Sequence, residues 1–113
     1  MSAASAKNYF LSRPAQFSDV ARRGGRKLGK FWRVTGLPNN VANARLGLVL
    51  SKRHVHKASL RNRLRRLLRE SFRQHWQSAL PSFDFLVFSA PSLAKAEEFE
   101  AREDCRCLLK NFK

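Results

Sequence analysis

Apolar residues recur along this chain in two rhythms, one of period two and one of period three to four. Over Phe31-Trp32-Arg33-Val34-Thr35 they alternate as in a strand, with Trp32 and Val34 on one face and Phe31, Arg33 and Thr35 on the other. Ala44 to Ser51 alternates again, with Leu46, Leu48 and Leu50 toward a core, and Phe83 to Ser89 is a third strand closed by the breaker Pro91. Between the first two lies a loop from Gly36 to Ala44, built around Pro38-Asn39-Asn40. The helical rhythm appears three times. Pro14 can open a short helix whose Phe17, Val20 and Ala21 share a face and which ends at Gly24-Gly25. A last helix, about Ala94 to Phe112, aligns Ala101, Cys105, Leu108 and Phe112.

The middle helix carries most of the information. With Leu60 as origin and roughly 100° per residue, Leu60, Leu64, Leu67, Leu68 and Ser71 fall in one arc. Asn62, Arg65, Arg66, Arg69 and Arg73 fall in the opposite arc, and Arg61 and Arg63 flank the boundary. Ser59 is the expected N-cap, and Glu70, one turn after Arg66, is its expected ion-pair partner. No internal repeat is visible.

Composition sharpens this picture. The 113 residues suit one domain with a modest core: a loose, flexible basic arm over residues 1–13, then a single domain over 14–113. A hydrophobic content of 43% argues against general disorder, whereas the net charge of +15 points to a polyanionic partner. The charge is unevenly placed. Lys52 to Arg69 holds eight Lys or Arg side chains and no acid, while Glu97, Glu98, Glu100, Glu103 and Asp104 crowd the last helix. Arginine's planar fork matches phosphate and stacks on bases, so an almost all-arginine face fits nucleic acid better than solubility alone requires. No helical DNA-reading motif or zipper is present, and an aromatic, basic sheet surface suits single-stranded RNA, with Phe17, Phe31 and Arg33 as candidates.

Other chemistries are poorly supported. No apolar run approaches the ~20 residues of a spanning helix, and MSAASAKNYF has no apolar core of a signal peptide. Cys105 and Cys107 are spaced badly for a disulfide or a zinc site and read as small, reduced residues of a packed helix, which gives a cytoplasmic expectation. His54 and His56 could alternate as strand ligands, but basic neighbours oppose a cation there. Asp19, Glu70 and Asp84 are isolated, so the carboxylate cluster of a two-metal nuclease is missing from the pattern.

Ser51-Lys52-Arg53, Ala58, Arg61-Asn62-Arg63, Arg66-Leu67-Leu68-Arg69-Glu70 and Phe72-Arg73 together resemble the signature of the bacterial ribonuclease P protein subunit. Phe17, Val20 and Gly24, Arg45 and Gly47, and Asp84 add to the likeness, which runs from about Phe17 to the C-terminus. The resemblance implies an α/β fold, an α+β sandwich like the second domain of ribosomal protein S5. Its central mixed sheet would have a left-handed βαβ crossover carrying the Arg-Asn-Arg helix. It implies a role in removing the 5′ leader of precursor tRNA, with catalysis by an RNA subunit and magnesium held mainly by that RNA. The partners would be that catalytic RNA and precursor tRNA, with no membrane and no obligate protein partner. Lys52, Arg53, Lys57, Arg61, Asn62, Arg63, Arg65, Arg66 and Arg69 would form the RNA-binding block, and Phe17, Phe31 and Arg33 would face the leader. Four positions depart from the family's habit: His56 stands for a common Gly, Ser59 for an aliphatic, Ala21 for a second aromatic, and Ser89 for an Arg. The competing classes are a ribosomal-type RNA binder and an autonomous nuclease.

Overall fold

The computed structural model describes residues 8–112. Helix α1 (Pro14–Arg23) leads into strand β1 (Gly25–Leu28), which hairpins into β2 (Trp32–Pro38); β3 (Arg45–Val49), α2 (Ala58–Ser71), β4 (Phe83–Ser89) and α3 (Glu98–Lys110) follow. The four strands lie in the order β1-β2-β4-β3. The β1–β2 and β2–β4 pairs are antiparallel and β3–β4 is parallel, so α2 belongs to a β-α-β crossover between neighbouring strands. The expected mixed sheet with a crossover helix is therefore present.

The alternation of β2, β4 and β3 divides the core in two. Trp32, Val34, Phe85, Val87, Leu46 and Leu50 point to one face, where Leu64, Leu68 and Phe72 of the α2 side and Ala101, Cys105 and Leu108 of α3 cover them. Trp32 is fully enclosed, and its indole N–H donates to the Ala101 carbonyl at 2.8 Å, so its one polar atom is satisfied within the core. Burying a large side chain of this kind contributes roughly 1.5–3 kcal/mol. On the other face, α1 sets Val20, Phe17 and Ala21 over Leu86, Leu37 and Phe88, with Leu11 at the edge. Gly47 is what lets α1 come so close. A Cβ there would stand 2.8 Å from the Phe17 ring and 3.0 Å from Leu11.

A buried ion pair ties the strands at one end. Arg45 donates to both carboxylate oxygens of Asp84 across the β3–β4 pair at 2.8 and 2.9 Å, and Asn39 Nδ2 donates to the same carboxylate at 2.8 Å. Three donors leave that buried carboxylate well satisfied.

Several expectations need correcting. Strand β1 was not anticipated, and β2 runs on through Gly36 to Pro38, three residues into the expected loop. Gly36 is kept small because the Phe112 ring lies over it, 2.7 Å from where a Cβ would be. Helix α2 begins two residues earlier than a Ser59 N-cap allows: the N-cap is Lys57, with no side-chain cap, and Ser59 is in the first turn. Glu70 pairs with Arg73 at 2.8 Å rather than with Arg66. Helix α3 starts at Glu98 because Pro91–Lys95 forms a separate 3-10 turn. Among the described residues no non-glycine φ is positive, so His56 stands in its turn without left-handed backbone strain. Residues 1–7 of the expected arm lie outside the described residues. Its remainder is attached to the sheet: Leu46 donates its N–H to Tyr9, Leu11 donates to Leu46, and Leu11 is buried.

Candidate nucleic-acid interface

The polar arc of α2 faces solvent, as its pattern requires, but its arginines are not equivalent. Arg66 and Arg69 are exposed, and Arg66 makes no hydrogen bond or ion pair among the described residues. Arg65 is half-buried and donates to Asn62 Oδ1 at 3.1 Å. Arg69 lays its guanidinium over the Phe10 ring, 4.5 Å from the centroid. Arg63 reaches α3 and pairs with Glu98 at 2.8 Å. Arg61 turns back to the loop before the helix, where one terminal nitrogen donates to the Val55 and His56 carbonyls at 2.8 and 2.9 Å. It therefore helps to hold the turn that carries Lys52, Arg53 and Lys57, all three exposed.

That turn is also pinned to β4. Ser89 Oγ accepts the Ser51 N–H at 3.0 Å and shares a hydrogen bond with His54 Nδ1 at 2.9 Å. Ser51 Oγ in turn accepts the Arg53 N–H at 3.1 Å. Ser89 thus has a local task, and His54 is occupied by it. Among the described residues no group of three or more His, Cys, Asp or Glu side chains is placed to hold a metal ion.

Two recesses continue the basic surface onto the α1 side of the sheet. The first, about 100 Å³, lies at the β3 edge between Phe10, Leu11 and Phe17 on one side and Arg65 and Arg69 on the other. The second, about 80 Å³, lies between Ala21, Arg26, Arg33, Thr35 and Phe88. There the Arg33 guanidinium stands 5.4 Å from the centre of the Phe88 ring. From α1 this recess is lined by Ala21, a single methyl group.

Of the three residues expected at a single strand, Phe17 and Arg33 line these recesses and Phe31 does not. Phe31 precedes β2, is 5% exposed, and packs with the α2–α3 core. The strand alternation placed it beside Arg33, but Asp104 overrides that alternation by accepting the Phe31 N–H at 2.9 Å and the Lys30 N–H at 3.2 Å. Phe10 and Phe88 belong to the recesses and were missed. The Tyr9-Phe10-Leu11 triplet inside a nominally loose arm was the available signal for Phe10, and outward parity within β4 was the signal for Phe88.

A profile of the family described as Ribonuclease P matches residues 6–113. The chain belongs to the ribonuclease P protein family. It is 40% identical over 84 residues to the ribonuclease P protein component of Yersinia pestis (strain Pestoides F), covering 74% of this chain and 70% of that one. To the component from Coxiella burnetii (strain Dugway 5J108-111) it is 36% identical over 98 residues, 87% and 78% of the two chains. The structure of the Staphylococcus aureus RNase P protein superposes with a TM-score of 0.83 at 25% identity, over 92% of this chain and 94% of that one. The Thermotoga maritima RNase P protein gives 0.82 at 26%, over 96% and 99%. As a ribonuclease P protein component, the chain takes part in tRNA processing in association with the ribonuclease P RNA. The expected mixed α/β fold is the fold of these relatives.

Proposed function

We propose that this ribonuclease P protein binds the catalytic RNA through the outer face of α2 and the Ser51–Lys57 turn, and holds the 5′ leader of precursor tRNA in the recesses beside α1. The observation that carries this reading is the continuity of the two surfaces. Arg65 and Arg69 belong to the basic face of α2 and also wall the aromatic recess that contains Phe10 and Phe17. A strand leaving the RNA-bound face would meet stacking surfaces and guanidinium groups without crossing an apolar or acidic barrier.

In this reading the assembly step is electrostatic. Arg63, Arg66, Arg69, Lys52, Arg53 and Lys57 neutralise phosphates, and Arg61 contributes chiefly by keeping the turn in place. Affinity then falls with salt by a log–log slope of about −0.7 to −0.9 for each phosphate neutralised. Leader capture uses Arg33 on phosphate and the exposed faces of Phe17 and Phe88 for bases. The RNA carries the cleavage chemistry and holds magnesium. The protein would work in the cytoplasm, where precursor tRNA is made. Among the described residues no helix is long and apolar enough to cross a membrane.

The test compares the affinity of the reconstituted holoenzyme for precursor and mature tRNA. The wild type is expected to prefer the precursor, and Arg33→Gln to shrink that preference without weakening assembly with the RNA. Arg66→Ala is expected to do the reverse. Equal affinity for precursor and mature tRNA would remove the leader from the recesses.

A further inference from the structure

Helix α2 does not end cleanly. After Ser71 it widens into a π turn over Phe72–Trp76 and then tightens into a 3-10 turn over Gln77–Ala79. Such π turns are uncommon and concentrate at functional sites. Here the widened turn places both Phe72 and Trp76 inward, and a cavity of about 270 Å³ opens between it and α3. The floor is apolar, formed by Trp76, Leu80 and Leu109, and His75, Arg102, Arg106 and Lys110 line it as well. The site is remote in the sequence from the Arg61–Arg63 triplet and shares no lining residue with the two recesses beside α1.

The polar groups are arranged with some care. Arg102 is fixed by donating Nε to Ser71 Oγ at 2.9 Å, which holds its guanidinium over Trp76, 5.5 Å from the ring centre. Glu103 is the acid of this cluster. It binds Arg106 at 2.7 and 3.0 Å and Arg102 at 3.1 Å, so it orients two cations and neutralises only one of them. Lys110 and His75 are exposed. Among the described residues the Trp76 indole N–H makes no hydrogen bond, and no buried side-chain nitrogen or oxygen is left unsatisfied, so that N–H meets solvent.

The geometry points to a second nucleotide-binding site, in which the cavity takes one unstacked base of a single-stranded RNA and the Lys110–Arg106–His75 rim takes its phosphate. An aromatic floor with an uncommitted N–H donor suits a base, which offers ring nitrogens and carbonyl oxygens as acceptors. The volume is just under the roughly 300–1,000 Å³ of drug-sized pockets, which suits one base and excludes a base pair. The proposal rests on the chain being an RNA binder but not on the leader assignment.

The chain has two tryptophans, and Trp32 is sealed in the core, so the two indole N–H signals in an NMR spectrum of the full-length protein separate this site from the fold. Adenosine 5′-monophosphate is expected to shift the Trp76 signal saturably and to leave Trp32 in place. Lys110→Ala should weaken that response about five-fold, the effect of one lost charge-assisted contact. Ala79→Phe, at an exposed position lining the cavity, should abolish it, and Arg63→Ala should leave it unchanged. A still Trp76 signal, an equal shift with inorganic phosphate alone, or a tighter response to a short oligoglutamate would each overturn the proposal. So would an effect of Arg63→Ala as large as that of Lys110→Ala.

Discussion

Glu98 competes with RNA for Arg63. In the free protein the two are joined at 2.8 Å, with the arginine side chain 68% and the glutamate 42% exposed. An exposed pair of this kind contributes about 0.2–1 kcal/mol, which a phosphate must displace. Displacement does not remove the carboxylate, which then stands near the incoming phosphate and repels it by roughly 1 kcal/mol at about 4 Å in water. Glu98→Gln removes both costs, so RNA affinity should rise by about 1–2 kcal/mol, roughly 5- to 30-fold, in low salt. The gain should shrink in about 0.5 M salt as screening shortens the range of both terms. Stability should move the other way. Glu98 is the first residue of α3, where a negative charge favours the helix, so its loss should cost about 0.3–1 kcal/mol beyond the pair itself. The assay is equilibrium binding of the ribonuclease P RNA to wild type, Glu98→Gln, Arg63→Ala and the double variant, with unfolding measured alongside. Affinity and stability changing in opposite directions is the signature. An unchanged or lower affinity for Glu98→Gln, while Arg63→Ala still weakens binding, would refute the competition.

Asp84→Ala leaves Arg45 half-enclosed without its partner and should cost about 3 kcal/mol in denaturant unfolding, within the usual range for a broken buried pair. Gly47→Ala forces a Cβ against Phe17 and Leu11 and should cost about 1–3 kcal/mol, with looser attachment of α1 seen as faster amide exchange there. Arg106, first through its hydrogen bonds, holds the Glu103 carboxyl below its ordinary range. The folded value is thus lower than the unfolded one, so this contribution to stability is complete above about pH 4.3 and is lost as pH falls through the folded value. A titration of stability between pH 6 and 3, roughly the span that brackets that window, should be flatter for Glu103→Gln, and an unaltered slope would contradict the assignment. Arg61→Ala should loosen the Ser51–Lys57 turn, because it removes a donor from the Val55 and His56 carbonyls; accelerated exchange in that turn without RNA is the check.

The sequence made the main elements visible wherever one periodicity ran long enough to dominate. Strand β4 follows from a strand-sized apolar run closed by Pro91, and the buried arc of α2 and the Ala101-Cys105-Leu108 face of α3 follow from 3.6-residue spacing. Strand β1 escaped because four residues, Gly25-Arg26-Lys27-Leu28, are too short and too polar to show a period, and pairing with β2 alone makes them a strand. Gly36 reads as the start of a loop in the sequence, but a missing side chain also serves close packing, here beneath Phe112. Within the interface the arginines were legible as a class, but their division of labour was not. That Arg61 holds a loop, Arg63 meets Glu98 and Arg69 covers Phe10 depends on elements distant in the chain. Phe31 shows the same limit: two backbone contacts to Asp104 outweighed the strand parity that pointed it outward.

The central claim is that an arginine face on α2 serves an RNA catalyst. The most direct measurement is leader cleavage of precursor tRNA by ribonuclease P RNA at low magnesium, with and without this protein. Wild type should stimulate cleavage strongly. Arg63→Ala combined with Arg66→Ala, which leaves the loop-holding Arg61 untouched, should abolish the stimulation while the protein remains folded. Stimulation that survives the double change, or a folded wild-type protein that gives none with a competent RNA, would contradict the account.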